Sequence, residues 1–324
     1  MPGGIGRYVE GLLAHLPGGG VAVDPFTGSR WHPLAWQRFR RPALRLPGGI
    51  DVVHAPSLAV PPPGPRPLVV TIHDLAFAYL PARGAAFHRR GLALARAEAA
   101  AVVVPSAFTA SEVTAAGIDA GRVHTVPHGI DPPPEPPAGE RAERLRRLGV
   151  ETPFLLAVGT VEPRKGLEVL AEACSALGGA RLVLAGNSGW GDVPGLDRSW
   201  VRRLGQVSDA DLDTLYRAAT ALVMASRTEG FGLPALEAMA RGCPVVVSDA
   251  GSLPEVVGDA GVVVPAGDPD ALAGVLAEVL DDEGRREHLA GAGRRRASRF
   301  TWAACVDGHI TAYRAALGLH RDPS

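Results

Sequence analysis

The sequence predicts an α/β protein built from two Rossmann-like domains, each a doubly wound parallel sheet, facing each other across a cleft. Three observations carry this. Short apolar runs alternate with helical patterns in both halves, as parallel strands joined by crossover helices do. A proline-rich break, DPPPEPPAGE at Asp131–Glu140, divides the chain. At 324 residues the chain is long for one core and comfortable for two. We therefore expect a first domain over 1–131, a linker region over 132–148 and a second domain over 149–299, with 300–324 as a closing helical segment.

The chain opens with MPGGIGRYVEGLLAHL. Gly3, Gly4 and Gly6 predict a loop, and Ile5, Val9, Leu12, Leu13 and Leu16 then recur at helical spacing. Such a loop suits an anion or a close approach; a frayed terminus explains it equally well. DVVHAP and PLVVTIHDLAF are buried-strand candidates. Val69–Ile72 runs directly into His73 and Asp74, placing both at a strand's carboxyl end, where open parallel sheets bind ligands. His54 also ends a strand, but no partner for it is legible, and it reads as structural. Ala85–Ala99 is an alanine-rich helix, followed by the strand AVVV and by Ser106, a cap for the helix FTASEVTAAG. VHTVPHGID closes the first half.

The second half alternates cleanly. FLLAVG is a strand, GLEVLAEACSAL a helix and ARLVLAG a strand. VRRLGQV is a shorter strand, and SDADLDTLYRAA a helix capped by Ser208. Then come the strand TALVM, the stretch Ala225–Gly242, the strand PVVVS, and GVVVPAG with helices behind it.

Ala225–Gly242 is ASRTEGFGLPALEAMARG. Gly230 and Gly232 allow a tight turn, Pro234 suits a helix's first turn, and Gly242 ends that helix. A strand–loop–helix of this kind aims backbone N–H groups and a helix dipole at an anion. Glu229 and Glu237 bracket it. Carboxylates do not belong on a phosphate, but they accept paired hydrogen bonds from a diol. The stretch reads as a site for a phosphate flanked by sugar hydroxyls. Gly230, Gly232 and Ala235 also imitate a dinucleotide fingerprint, and Pro234 speaks against it. A purely structural turn is the plain alternative. In VGTVEPRKG, Arg164 and Lys165 stand at another strand's carboxyl end, where two cations can neutralise a diphosphate; an exposed basic turn would look the same. Asp209, Asp211 and Asp213 invite a metal, but they open a helix, where acids favour the dipole, and no His or Cys completes the set.

Composition excludes other classes. A net charge of −1 and 5% aromatic residues favour neither a nucleic-acid field nor base stacking. Three scattered cysteines, Cys174, Cys243 and Cys305, suit a reducing compartment. With no long apolar run and no leader-like opening, the chain reads as cytoplasmic, with peripheral attachment to the inner membrane face as a variant.

EGFGLPALE resembles the E-x7-E element of the retaining glycosyltransferases of family 4, which have the GT-B fold. The likeness extends over nearly the whole chain. It implies that Glu229 contacts a donor sugar, the backbone at Phe231 and Gly232 the diphosphate, and Glu237 the ribose diol. It places Gly4, Lys165, Val207, Gly230 and Leu233 along the donor, and His73 with Glu229 and Lys165 at the reaction centre. Lys165 matches the family's lysine. Many members have Arg where Thr160 stands, which makes Arg164 a substitute. VPHGID matches a turn usually written with Asn in place of His128. LGQVSDADL lies near the nucleotide base in the family, and the last helix, with Trp302 and Tyr313, packs back on the first domain. A first strand normally precedes the GGIGRY loop, and only Met1 and Pro2 stand there, so that strand is expected to be missing. The implied activity is retaining transfer from a nucleotide sugar, with GDP-mannose leading, to a glycan or lipid-linked acceptor in cell-surface polysaccharide synthesis. No metal or other cofactor is expected. A same-fold sugar-nucleotide epimerase and a non-catalytic sugar-binding protein are the alternatives.

Overall fold

The apolar runs become strands of two parallel sheets in a computed structural model that describes residues 4–26, 32–41, 46, 48–82, 84–132, 134–191 and 193–319. The chain divides into two compact units. Residues 130–300 form one; 2–129 together with 301–324 form the other.

The discontinuous unit contains α1 (Gly4–His15), α2 (His32–Phe39), β1 (Val53–Ala55), β2 (Leu68–Thr71), α3 (Ala85–Glu98), β3 (Ala99–Val104), α4 (Ala107–Ala115) and β4 (Val123–Thr125). Its described strands pair in sequence order, β1-β2-β3-β4. Ser106 caps α4 by accepting from the Thr109 N–H at 3.0 Å, as read from the sequence.

The glycine loop expected at Gly3–Gly6 is corrected where it is described. Helix α1 already begins at Gly4, so Gly4 and Gly6 lie in its first turn. Tyr8, Leu12 and Leu16 share one buried face, and their burial outweighs the roughly 1 kcal/mol that a glycine costs inside a helix. Gly3, and the expectation of a missing strand ahead of it, fall outside the described residues.

The continuous unit contains α5 (Ala138–Leu148), β5 (Leu155–Val158), α6 (Leu167–Ala176), β6 (Leu182–Ala185), β7 (Val201–Gly205), α7 (Asp209–Ala218), β8 (Ala221–Met224), α8 (Leu233–Ala240), β9 (Val245–Ser248), α9 (Leu253–Val257), β10 (Val262–Val264), α10 (Pro269–Asp281) and α11 (Glu283–Ala297). Its strand order is β10-β9-β8-β5-β6-β7, all parallel. The chain winds outward from β5 in one direction, returns, and winds the other way from β8. The switch point of a doubly wound sheet therefore lies between β5 and β8. Two layers of Val, Leu and Ala cover the faces of this sheet.

The stretch expected as a linker, 132–148, is only partly one. Residues 138–148 form α5, an element of the continuous unit. Leu145 and Leu148 pack on its core, and Gly149 closes the helix. The polar spacing AGERAERLRRL carries so few apolar residues that the neighbouring prolines dominate its reading.

The last helix, α12 (Trp302–Ala316), belongs to the discontinuous unit. Cys305, Val306 and Ala312 share a core with Tyr8, Leu12, Val69, Ala101 and Val103. A buried polar line also fixes it. The Cys305 carbonyl can only accept, so His309 Nδ1 donates to it at 2.7 Å, and His309 Nε2 accepts from the Tyr8 hydroxyl at 2.7 Å. The Tyr8 oxygen then accepts from Thr71 at 2.7 Å, and Thr71 Oγ1 accepts from His54 Nε2 at 2.8 Å. His54 Nδ1 finally accepts from the Tyr313 hydroxyl at 2.9 Å. His54, which shows no partner in the sequence, has two here. Both imidazoles are neutral, which sets these directions: burial, reinforced by neighbouring histidines, lowers His54 to about 3, and burial lowers His309 to about 4. Among the described residues no helix is long and apolar enough to cross a membrane.

Candidate functional site

The loops that follow β5 and β8 flank the switch point, and their backbones are stitched together. The Arg227 N–H donates to the Arg164 carbonyl at 2.8 Å. Gly166, at φ 59°, turns the first loop into α6; a Cβ there would lie 2.0 Å from the Ala225 carbonyl oxygen, so only glycine permits the approach. On the other side the loop after β9 holds Glu229. Its carbonyl accepts from the Ser252 N–H at 2.9 Å and the Ser252 hydroxyl at 3.0 Å. Gly251, at φ 64°, comes so close that a Cβ would meet the Glu229 backbone at 2.3 Å.

Glu229 is buried, and its side chain is held on both oxygens. Oε1 accepts from Lys165 Nζ at 2.6 Å and from Ser226 at 2.7 Å; Oε2 accepts from Arg164 Nη1 at 3.0 Å. Burial alone would raise its pKa, but Lys165 and Arg164 outweigh that and hold it at about 2. It is an acceptor of hydrogen bonds, not an acid.

Arg164 does more than the sequence suggests. Its Nε and Nη2 donate to Glu162 Oε1 at 3.1 and 2.9 Å, and Nη1 also reaches the Thr228 carbonyl at 3.1 Å. The indole of Trp190 donates to Glu162 Oε2 at 3.1 Å. Arg164 thus brackets the glutamate loop. Two cations and two carboxylates, Arg164, Lys165, Glu162 and Glu229, form a locally neutral group. Glu162 and Ser226 were not singled out from sequence. Ser226 stands three residues before Glu229, a spacing that a loop-closing bond explains only once the loop is seen.

Helix α8 opens beyond this group. Gly232 takes φ 91° as its N-cap, no side chain caps it, and Pro234 sits in its first turn. Gly230, Gly232 and Leu233 lie on this approach. Phe231 is buried, edge-on to Phe300 at 5.9 Å. Glu237 is one turn into α8, and Oε2 accepts from the Tyr216 hydroxyl at 2.8 Å. Val207 is buried beside Tyr216 in the same core, just ahead of α7. Ser208 caps α7 by accepting from the Asp211 N–H at 3.1 Å, as expected. Asp211 pairs with Arg147; Asp213 pairs with Arg217 at 2.9 Å and Arg241 at 2.7 Å. These carboxylates are engaged by guanidinium groups.

His73 and Gly4 belong to the other unit. His73 follows β2, and its Nε2 donates to the Pro56 carbonyl at 2.9 Å, which leaves Nδ1 as the acceptor. Burial lowers its pKa below the ordinary 6.5, so it is neutral at pH 7. Tyr8 stands edge-on to it at 4.9 Å, and the buried His128 ring lies 5.5 Å away.

Two family models cover most of this chain. Residues 25–133 match Glycosyltransferase Family 4, and 141–296 match Glycosyl transferases group 1. The D-inositol 3-phosphate glycosyltransferase 1 of Catenulispora acidiphila is 33% identical over 322 residues, covering 88% of this chain and 77% of that protein. The chain belongs to glycosyltransferase family 4. This family 4 chain is also 36% identical over 173 residues to the O-antigen chain mannosyltransferase B of Escherichia coli, covering 50% of the chain and 45% of that protein. It spans about half the length of the first relatives it matches. Among solved structures, HepE of Anabaena in complex with UDP-glucose matches at a TM-score of 0.72 with 18% identity, covering 96% of both chains. That likeness shows the fold, GT-B with two parallel-sheet domains.

Proposed function

We propose that this chain transfers a sugar from a nucleotide-sugar donor with retention of anomeric configuration. The observation that carries the reading is Glu229 and Glu237 on one strand–loop–helix segment at the switch point, with Lys165 bonded to the first of them. In this reading the diphosphate lies at the start of α8, where the helix dipole and Lys165 take up charge as it departs. Glu229, ionised, accepts hydrogen bonds from the donor sugar, and Glu237 accepts from the ribose diol. The bond between C1 and the diphosphate oxygen breaks, and the electron pair leaves with the phosphate. The acceptor hydroxyl bonds to C1 on the same face, and its proton passes to the departing phosphate oxygen. On its own unit, neutral His73 keeps Nδ1 as a hydrogen-bond acceptor. The protein's part is positioning and charge stabilisation, with no metal called for.

GDP-mannose is the donor we favour, on the mannosyltransferase likeness and the TVEPRKG form of the basic loop, with a glycan or lipid-linked acceptor at the cytoplasmic face of the membrane. An inositol phosphate is the second acceptor reading, favoured by the relatives that align over most of this chain. A melting-temperature screen with GDP, UDP and ADP tests the donor reading, because a ligand bound to the folded state raises the melting temperature. We expect GDP to give the largest shift. No shift with any nucleoside diphosphate would overturn the assignment.

A further inference from the structure

Glu237 does not set its own orientation. The hydroxyl that donates to its Oε2 belongs to Tyr216 on α7, a side chain 1% exposed. Water cannot replace that bond. The guanidinium of Arg241 lies over the Tyr216 ring, 5.3 Å from its centre. Arg241 is itself pinned: Nε donates to Asp213 Oδ1 at 2.7 Å and Nη1 to the Glu237 carbonyl at 2.9 Å. Asp213 Oδ2 accepts from Arg217 at 2.9 Å. The Arg241–Asp213 ion pair thus ties the end of α8 to α7 beside this phenol.

A phenylalanine would fill the same space. The hydroxyl adds a dipole whose burial is costly unless it is bonded, and its bond goes to this carboxylate. A cation over the ring face draws electron density from the phenol and makes its O–H a stronger donor.

We propose that Tyr216 is a positioning residue for the nucleoside end of the donor: its hydroxyl fixes the plane of the Glu237 carboxylate so that both oxygens meet the ribose 2′ and 3′ hydroxyls together. A carboxylate offers about four acceptor positions, more than the Tyr216 bond occupies. The inference rests on the reading of Glu237 as the ribose ligand. It makes the ion pairs around Asp213 part of nucleotide recognition, one layer removed from the ligand.

The test compares the best binder among GDP, UDP and ADP with its 2′,3′-dideoxy counterpart, by calorimetry, on wild type, Tyr216→Phe and Glu237→Gln. Wild type should prefer the ribonucleotide by about tenfold or more, the worth of a charge-assisted hydrogen bond. Tyr216→Phe should lose most of that preference while binding the dideoxy ligand as wild type does. If Tyr216→Phe does not fold, Arg241→Gln, which keeps the hydroxyl but removes the cation, should lower the preference in the same direction. A Tyr216 variant that keeps the preference, or weakens both ligands equally, overturns the inference. If Glu237→Gln abolishes the preference and Tyr216→Phe does not, only Tyr216 is wrongly assigned. If wild type shows no preference, the ribose reading of Glu237 falls, and the inference with it.

Discussion

Replacing Glu229 with glutamine separates three properties that an ordinary site mutation would lower together. The carboxylate has a pKa of about 2 in the folded chain, against about 4.3 in an unfolded one. A folded value below the unfolded one contributes stability that is fully present above about pH 4.3 and is lost as pH falls through about 2. At pH 7 the difference corresponds to about 3 kcal/mol. Glu229→Gln removes this and leaves Lys165 and Arg164 facing a neutral amide, so urea unfolding at pH 7 should show a loss of about that size. Transfer should fall, because an amide accepts sugar hydroxyls less strongly than a carboxylate. Nucleoside diphosphate binding should move the other way. The group of two cations and two carboxylates is neutral as it stands; without Glu229 it carries one net positive charge, and Lys165 is released toward the ligand. Calorimetry should show binding at least as tight as wild type, up to about tenfold tighter. Diphosphate affinity falling in step with transfer would refute the reasoning, since it would mean that Glu229 holds the nucleotide directly.

Three further outcomes are expected. Lys165→Ala should weaken nucleoside diphosphate binding by about 1.5–3 kcal/mol and free nucleoside binding little; equal diphosphate affinities by calorimetry would count against it. Turnover should survive excess EDTA, and activity lost in chelator and restored by Mg²⁺ or Mn²⁺ would show that a metal takes part. His54 and His309 have folded pKa values of about 3 and 4, below the unfolded 6.5, so the stability they contribute is present above about pH 6.5 and is lost as pH falls toward 3. Each should give a slope that grows from about 0.7 kcal/mol per pH unit at pH 6.5 to about 1.4 near pH 5; His54→Gln should make urea unfolding measured between pH 7 and 5 visibly less pH-dependent, and an unchanged slope would refute the assignment.

The sequence made legible whatever depends on neighbours in the chain. Ser106 and Ser208 cap their helices, Gly232 and Pro234 open α8, and the alternating strands form parallel sheets because these features act over three or four residues. Features that depend on distant partners stayed hidden. Arg164 shows no carboxylate partner until Glu229, sixty-five positions away, is found bonded to it. His54 reads as solitary because Tyr313 stands 259 positions further on. The opening glycines read as a loop because their local preference is visible while the burial of Tyr8 against β2, β3 and α12 is not. Tyr216 gave no signal at all, being an aromatic residue at a helical core spacing like any other.

The order in which the two units can finish folding follows from where α12 sits. Residues 130–300 form a unit whose strands and helices are contiguous in the chain, so it can close as soon as it has left the ribosome. The other unit is interrupted by it. Val69, Ala101 and Val103 share their core with Cys305, Val306 and Ala312, and the polar line from Tyr8 through Thr71 to His54 ends on residues 309 and 313. Until residues 302–316 have been made, that face stays uncovered, Tyr8 lacks His309 and His54 lacks Tyr313. The segment that precedes residue 130 is therefore translated before the continuous unit and completed after it, waiting with apolar surface exposed while about 170 residues of that unit are made ahead of α12.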